Sequence, residues 1–419
     1  MFKKYTLSNG VRLVAEKIPY VKSVTLGFWI EAGSIHEETN NNGITHFVEH
    51  MLFKGTDKRS AREIAESFDS IGGQLNAFTS KECTCFYAKV LDTHLSIAID
   101  VLTDMLFHSS FNPGEIEKEK SVVLEEINMY EDSPEDLAHE LLSKTVFKHH
   151  KLGMPVLGTG ETVTSFDRRK LVSFIEEHYS IENIVVSVAG NFDEDQLIEQ
   201  LEEKFNHFTN RKSTRKVENN PSFNAEGITR YKDIEQLHIC LGLEGASLTS
   251  RDLYPLLIMN NIFGGSMSSR LFQNIREDKG LAYSVFSYPS SYKEIGLLTV
   301  YAGINPSQLD EVLKLINYEI RNLKKDGLTK DELHKSKEQL KGSYMLGLES
   351  TSSRMSAIGK SELLINRIYS PKEILEKIDQ VTLSDVREVI DKVFVVEKSA
   401  LAVVGKVEQD KDLMSLLDY

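Results

Sequence analysis

The chain has 419 residues, 41% of them hydrophobic and 27% charged, with a formal net charge of −14. That length exceeds a single hydrophobic core and implies two or more domains of an ordinary globular protein. The acidic balance argues against nucleic acid and anionic membrane as partners; it is compatible with basic or extended peptides, and solubility alone would also explain it. Three cysteines, Cys83, Cys85 and Cys240, form no disulfide framework and fit a reducing compartment. The first two alternate in a strand-like run, as buried core cysteines do. No apolar run reaches transmembrane length, and the start, MFKKYTLSNGVRLVAEKIP, has no apolar signal region, so a cytoplasmic location is expected.

That start reads as a hairpin turning at Asn9-Gly10. VTLGFWIEAGS (24–34) follows as a strand, and then a loop rich in Glu and Asn leads into the run GITHFVEHMLFKGT. Ser60 opens a helix with Glu63 three residues on, a capping box, and Gly72-Gly73 ends it. QLNAFTSKECTCFYAKVL alternates as two strands with a turn near Lys81. Two helices come next, the second opening at Pro113 with acidic residues in its first turn. A helix around SFDRRKLVSFIEEHY, a strand NIVVSVAG and a helix DEDQLIEQLEEKFNHF close this half.

Residues 209–228 are polar, basic and turn-rich, and are read as a linker between a first domain, 1–208, and a second, 229–419. The second half repeats the order of elements, from QLHICLGLEGAS to a late strand SALAVVGKV, which implies a duplicated domain. FNPGEIEKEKSVVLEE lies over LTKDELHKSKEQLKGS, with Glu119 on Ser336 and Glu126 on Ser343. Aligning Phe53 with Phe263 puts His46, Glu49 and His50 over Leu256, Met259 and Asn260. The expected class is α+β: two homologous domains, each a mostly antiparallel sheet with helices on one face.

His46, Glu49 and His50 form H-x-x-E-H. On a helix, positions four apart share a face, so both imidazoles can grip one divalent ion, by default zinc. Glu49 beside them can take a proton from a metal-activated water. A catalytic zinc needs a third protein ligand. The acidic helix 115–131 offers Glu119 and Glu126, two turns apart on one face, near Ile116, Val123 and Ile127. The alternative is a plain acidic surface helix, since Glu115, Glu117, Glu125 and Glu131 are also present. His149-His150 has no spaced partner and reads as solvated loop.

H-x-x-E-H with G-I-x-H before it, M-x-F-K-G-T after it, then G-G-x-x-N-A-x-T-S and a downstream L-E-E-I, resembles the inverted-zincin metallopeptidases. That family includes pitrilysin, insulin-degrading enzyme and the mitochondrial processing peptidase, and the resemblance covers nearly the whole chain. It implies His46 and His50 as zinc imidazoles, Glu49 as general base and Glu126 as third ligand, with one zinc per chain. Glu125 is the competing ligand assignment; helix phase sets Glu126 with Glu119. Glu119 matches the family's second acidic residue on that helix, which supports the site. Asn76 and Ala77 resemble the edge strand along which substrate is laid. Arg276 and Tyr283 match a distant Arg and Tyr that hold substrate and oxyanion.

The resemblance thus implies a zinc endopeptidase acting on short or unfolded peptides. FGGSMSSRLF is shorter than the glycine-rich loop of the mitochondrial non-catalytic subunit. The chain has half the length of the large four-domain members. It is therefore expected to close a chamber as a homodimer, or as a heterodimer with a paralogue, with Arg276 and Tyr283 acting in cis or on the partner's zinc. The rival readings are a non-catalytic peptide-binding or assembly subunit of the same fold, and a zinc enzyme of other specificity such as an amidase.

Overall fold

The structure is a computed structural model that describes residues 2–206, 208, 220–408 and 411–419. The first half runs β1 (Phe2–Thr6), β2 (Arg12–Lys17), β3 (Ser23–Ile30), α1 (Ile44–Leu52), α2 (Ala61–Asp69), β4 (Gln74–Thr79) and β5 (Thr84–Leu91). Then come α3 (Leu95–His108), α4 (Pro113–Asp132), α5 (Pro134–Val146), α6 (Gly160–Thr164), α7 (Arg168–His178), β6 (Ile184–Gly190) and α8 (Glu194–Phe205). The second half has β7 (Gly227–Tyr231), β8 (Leu237–Gly245), α9 (Leu253–Phe263), β9 (Ala282–Ser291), β10 (Gly296–Ile304) and α10 (Leu309–Asp326). It ends with α11 (Lys330–Gly347), α12 (Thr351–Ile365), α13 (Pro371–Gln380), α14 (Leu383–Val393) and β11 (Ser399–Gly405).

The expected α+β duplication is present. One sheet has the order β1-β2-β6-β3-β5-β4, and the other β7-β11-β8-β10-β9. From β2 onward the two orders coincide, and so do the directions: one parallel pair, β2–β6 or β7–β11, followed by antiparallel pairs. Each sheet ends on an edge strand at the corresponding place, β4 or β9. Gly10 (φ +99°) makes the first hairpin turn, a left-handed conformation that glycine adopts without strain. Ser60 and Glu63 form the capping box that starts α2.

The compact units are not the two continuous halves. One comprises residues 1–127, 154–218 and 345–370, and the other residues 128–153, 219–344 and 371–419. Segments carrying α5 and α12 are thus exchanged between the halves. Strand alternation explains why each sheet takes a helix on its second face as well. Val24, Leu26, Phe28 and Ile30 of β3 face the first core, with Phe47, Leu102 and Val186. The alternate residues Thr25, Gly27 and Trp29 meet α12. Thr25 Oγ1 lies 3.0 Å from Thr351 Oγ1. A Cβ on Gly27 would strike the Met355 sulfur at 2.4 Å, and one on Gly359 the Trp29 nitrogen at 2.2 Å. Arg354 also pairs with Glu16 at 2.7 Å.

In the second unit, Leu237, Ile239, Leu241 and Leu243 of β8 face the core built with Ile316, Ile320 and Val403. Their alternates meet α5: Cys240 lies 3.5 Å from His139, and a Cβ on Gly242 would touch Leu142 at 2.9 Å. Residues 209–219 of the segment read as a linker lie outside the described residues. Its far end, Gly227 and Ile228, begins β7 and pairs with β11. Among the described residues no helix is long and apolar enough to cross a membrane.

Candidate metal centre

The run ITHFVEHML folds as α1 and is almost wholly buried. Phe47, Val48, Met51 and Leu52 join the first core, and His46 is 7% exposed. His46 and His50 meet through their Nε2 atoms, and both Glu49 and His50 are only partly exposed. Gly43 stands at the N-cap position with φ +90°, where a Cβ would stand 2.5 Å from the Leu157 carbonyl oxygen. Glu37, fully buried in the preceding loop, accepts from the amides of Gly43 (2.7 Å) and Thr45 (2.9 Å). Burial pushes its carboxyl up to about 7 against the pull of those donors.

α4 begins behind Asn112, whose Oδ1 accepts the Gly114 amide at 2.8 Å. Its heptad spacing delivers Glu119 and Glu126 to the imidazoles. His46 Nε2 and His50 Nε2 are 3.2 Å apart, and Glu126 Oε2 lies 3.6 and 3.5 Å from them. Three ligands about 2.0–2.1 Å from a tetrahedral ion stand about 3.4 Å apart, so this triangle fits a zinc ion. Burial, and then the neighbouring His50 charge, drive the His46 pKa down to about 3, which keeps its ring neutral and its lone pair available. Among the described residues this is the one group of three or more His, Cys, Asp or Glu that could hold a metal ion. Glu125, one residue away, is exposed and outside it.

Glu119 stands behind the triangle, 3% exposed. Its Oε1 is 2.8 Å from His50 Nδ1, and Lys54 Nζ pairs with its Oε2 at 2.6 Å. Burial pulls the Glu119 carboxyl up, but the hydrogen bonds from His50 and Lys54 outweigh it and hold it below its usual value. A carboxylate accepting Nδ1–H fixes the tautomer that presents Nε2 to a metal. In the second unit, Ser336 of α11, the residue that the sequence alignment sets against Glu119, donates to the Ile258 carbonyl of α9 at 3.1 Å.

Glu49 is half-buried. Burial raises its pKa and the Glu126 charge adds to this, while the Thr79 hydroxyl and His50 pull it back. Thr79 Oγ1 donates to Glu49 Oε2 from the end of β4. Asn76 and Ala77 lie on the same strand, which among the described residues pairs with β5 alone; Asn76 Oδ1 accepts the Ala77 amide at 2.8 Å. The sheet's free edge thus ends at the residue that touches Glu49.

Arg276 and Tyr283 belong to the second unit. Arg276 sits on a π-helical stretch, Phe272–Asp278, its guanidinium 4.7 Å from the Phe272 ring and 5.7 Å from that of Tyr283. Tyr283, on edge strand β9, is 78% exposed. Among the described residues His149 and His150 join no metal-binding group, and His150 Nδ1 accepts the Leu152 amide. All three cysteines are free and buried. Glu37, Lys54 and Thr79 escaped the sequence reading. The latter two sit inside quoted motifs, whereas Glu37 carried no signal beyond an acidic loop.

Comparison with known proteins adds two family models, two relatives and two solved structures. The family model "Insulinase (Peptidase family M16)" matches residues 12–160, and "Peptidase M16 inactive domain" matches residues 165–340. The chain is 51% identical over 405 residues to "Uncharacterized zinc protease YmxG" of Bacillus subtilis, covering 97% of this chain and 98% of that protein. An uncharacterized zinc protease of Streptomyces coelicolor is 41% identical over 423 residues, covering 99% and 92%. A solved peptidase M16 inactive domain from Pseudomonas fluorescens shares the fold at TM-score 0.91 and 18% identity, over 98% of this chain and 99% of that one. A protease from Helicobacter pylori does so at 0.88 and 22%, over 97% and 99%.

Proposed function

The chain belongs to peptidase family M16, the insulinase family, and on that footing we propose that it is a zinc-dependent endopeptidase. The observation that carries this reading is the convergence of His46, His50 and Glu126, with all three ligand atoms within 4.8 Å of one another. Its relatives' names, zinc protease, support it.

In this reading His46 and His50 through Nε2, and Glu126 through Oε2, hold one zinc per chain. A zinc ion there supplies an acidified water and polarises a peptide carbonyl. Glu49 takes the water's proton and returns it to the leaving amine. The Thr79 hydroxyl donates to Oε2 and holds the Glu49 carboxylate in place, leaving it acceptor capacity for the proton. Glu119, backed by Lys54, keeps the His50 ring in place. The edge strand with Asn76 and Ala77 receives the substrate backbone by strand addition, which reads main chain rather than side chains and suits short or unfolded peptides. Arg276 and Tyr283 are donors for the oxyanion, from the same chain or a partner. A dimer chamber, formed with a second copy or a paralogue, belongs to the same proposal. So does a cytoplasmic location, supported by the three free thiols.

Chelation to the metal-free state is expected to abolish cleavage of a quenched peptide, and one equivalent of zinc per chain to restore it. Cleavage that persists without metal, or stoichiometric zinc with no cleavage, overturns the reading; the latter outcome favours a peptide-binding subunit. Thr79→Val removes one hydrogen bond to the base and is expected to lower kcat about tenfold with KM little changed. Steady-state kinetics checks this, and Thr79→Ser should recover most of the rate.

A further inference from the structure

α1 lacks a cap of its own. Its N-cap residue, Gly43, has no side chain to offer, and the close approach of the Leu157 carbonyl leaves no room for one. The amides at the start of a buried helix still need acceptors. Those of Gly43 and Thr45 find one in Glu37, six residues upstream of Gly43. Glu37 Oε2 accepts from the Gly43 amide and from Asn42 Nδ2, both at 2.7 Å, and Oε1 accepts from the Thr45 amide at 2.9 Å.

This carboxylate has 0% exposure, and its hydrogen-bond partners among the described residues, Asn42 Nδ2 and the Gly43 and Thr45 amides, are all uncharged. Burying a carboxylate without a cation is costly, and the aligned amides of a helix N-terminus are what offsets it. The clamp is anchored in turn. Asn42 Nδ2 also donates to the Pro155 carbonyl at 2.8 Å, and the Asn42 carbonyl accepts from Thr162 Oγ1 at 2.7 Å. The residue after Thr45 is His46.

We propose that Glu37 is a positioning residue of the metal centre: by clamping the first turn of α1 it fixes where His46 and His50 stand against Glu126 of α4. The inference rests on the zinc reading above. A helix rises about 1.5 Å per residue, so a slip of α1 by one residue moves its side chains by about that distance along the axis. That is enough to take two imidazoles out of a triangle whose sides are 3.2 to 3.6 Å. Glu37 touches neither metal ligand nor substrate and acts only through the helix.

The test compares wild type with Glu37→Gln at pH 8, reading zinc affinity by chelator competition and the visible absorption of the cobalt-substituted protein. The amide nitrogen of Gln turns a donor toward a backbone donor. The variant is expected to bind zinc about tenfold more weakly, as when a group that orients a ligand is lost, and to show a displaced cobalt band. Val300→Ala, in the second core, is the control: it should lower the unfolding temperature and leave the cobalt band unchanged. Wild-type zinc affinity and an unaltered band in folded Glu37→Gln overturn the proposal. If that variant does not fold, Asn42→Ala loosens the same carboxylate and carries the same two outcomes. Failure of the wild type to bind zinc at all would sink the zinc reading instead.

Discussion

Glu49→Gln is expected to keep the wild-type zinc content and to lose about 10²- to 10⁴-fold in peptide turnover, the usual contribution of a positioned general base. The substitution is nearly isosteric and leaves all three proposed ligands in place. Glu49 is absent from the metal-binding group, and its Oε2 is engaged by Thr79. Gln retains an oxygen for that hydroxyl but cannot accept a proton at neutral pH. Elemental analysis together with kcat on a quenched peptide decides the matter. Full turnover in the zinc-loaded variant would remove Glu49 as base.

Glu126→Gln should weaken zinc binding by more than the roughly 10–100-fold that loss of a ligand's hydrogen-bonding partner costs, and Glu125→Gln should leave it unchanged. The two residues are neighbours in sequence but about 100° apart around a helix such as α4. Glu126 Oε2 closes the triangle at 3.5 and 3.6 Å, while Glu125 is exposed. Because Glu126 is only partly buried, the neutral amide leaves no stranded charge behind, and a drop in affinity reports on ligation. Equal affinities for the two variants, measured by chelator competition, would undo the assignment of the third ligand.

Much of the candidate site could be read from the chain because its parts are periodic. H-x-x-E-H places two rings on one helical face, and the seven-residue step from Glu119 to Glu126 does the same for two carboxylates. The duplicated sheets were readable for a similar reason: alternating strands such as 84–91 and 296–304 recur in the same order. What escaped is what periodicity does not encode. α12 docks through Thr351, Met355, Gly359 and Glu362, a face too polar and too small to mark an amphipathic helix. α5 meets its sheet through His139, and the first two residues of β7, Gly227 and Ile228, were read as linker. Glu37 eluded the sequence because it binds backbone amides, which every residue carries.

The exchange of α5 and α12 has a consequence for biosynthesis. Thr25 waits for a hydroxyl 326 positions further along the chain. While the ribosome is still translating the second half, the face of the first sheet around Thr25, Gly27 and Trp29 has no cover, and α5 has been made before the sheet it lies on. Closure of both sheets therefore belongs to the end of synthesis. The nascent chain exposes strand surface until then, the state in which large proteins misfold and chaperones intervene.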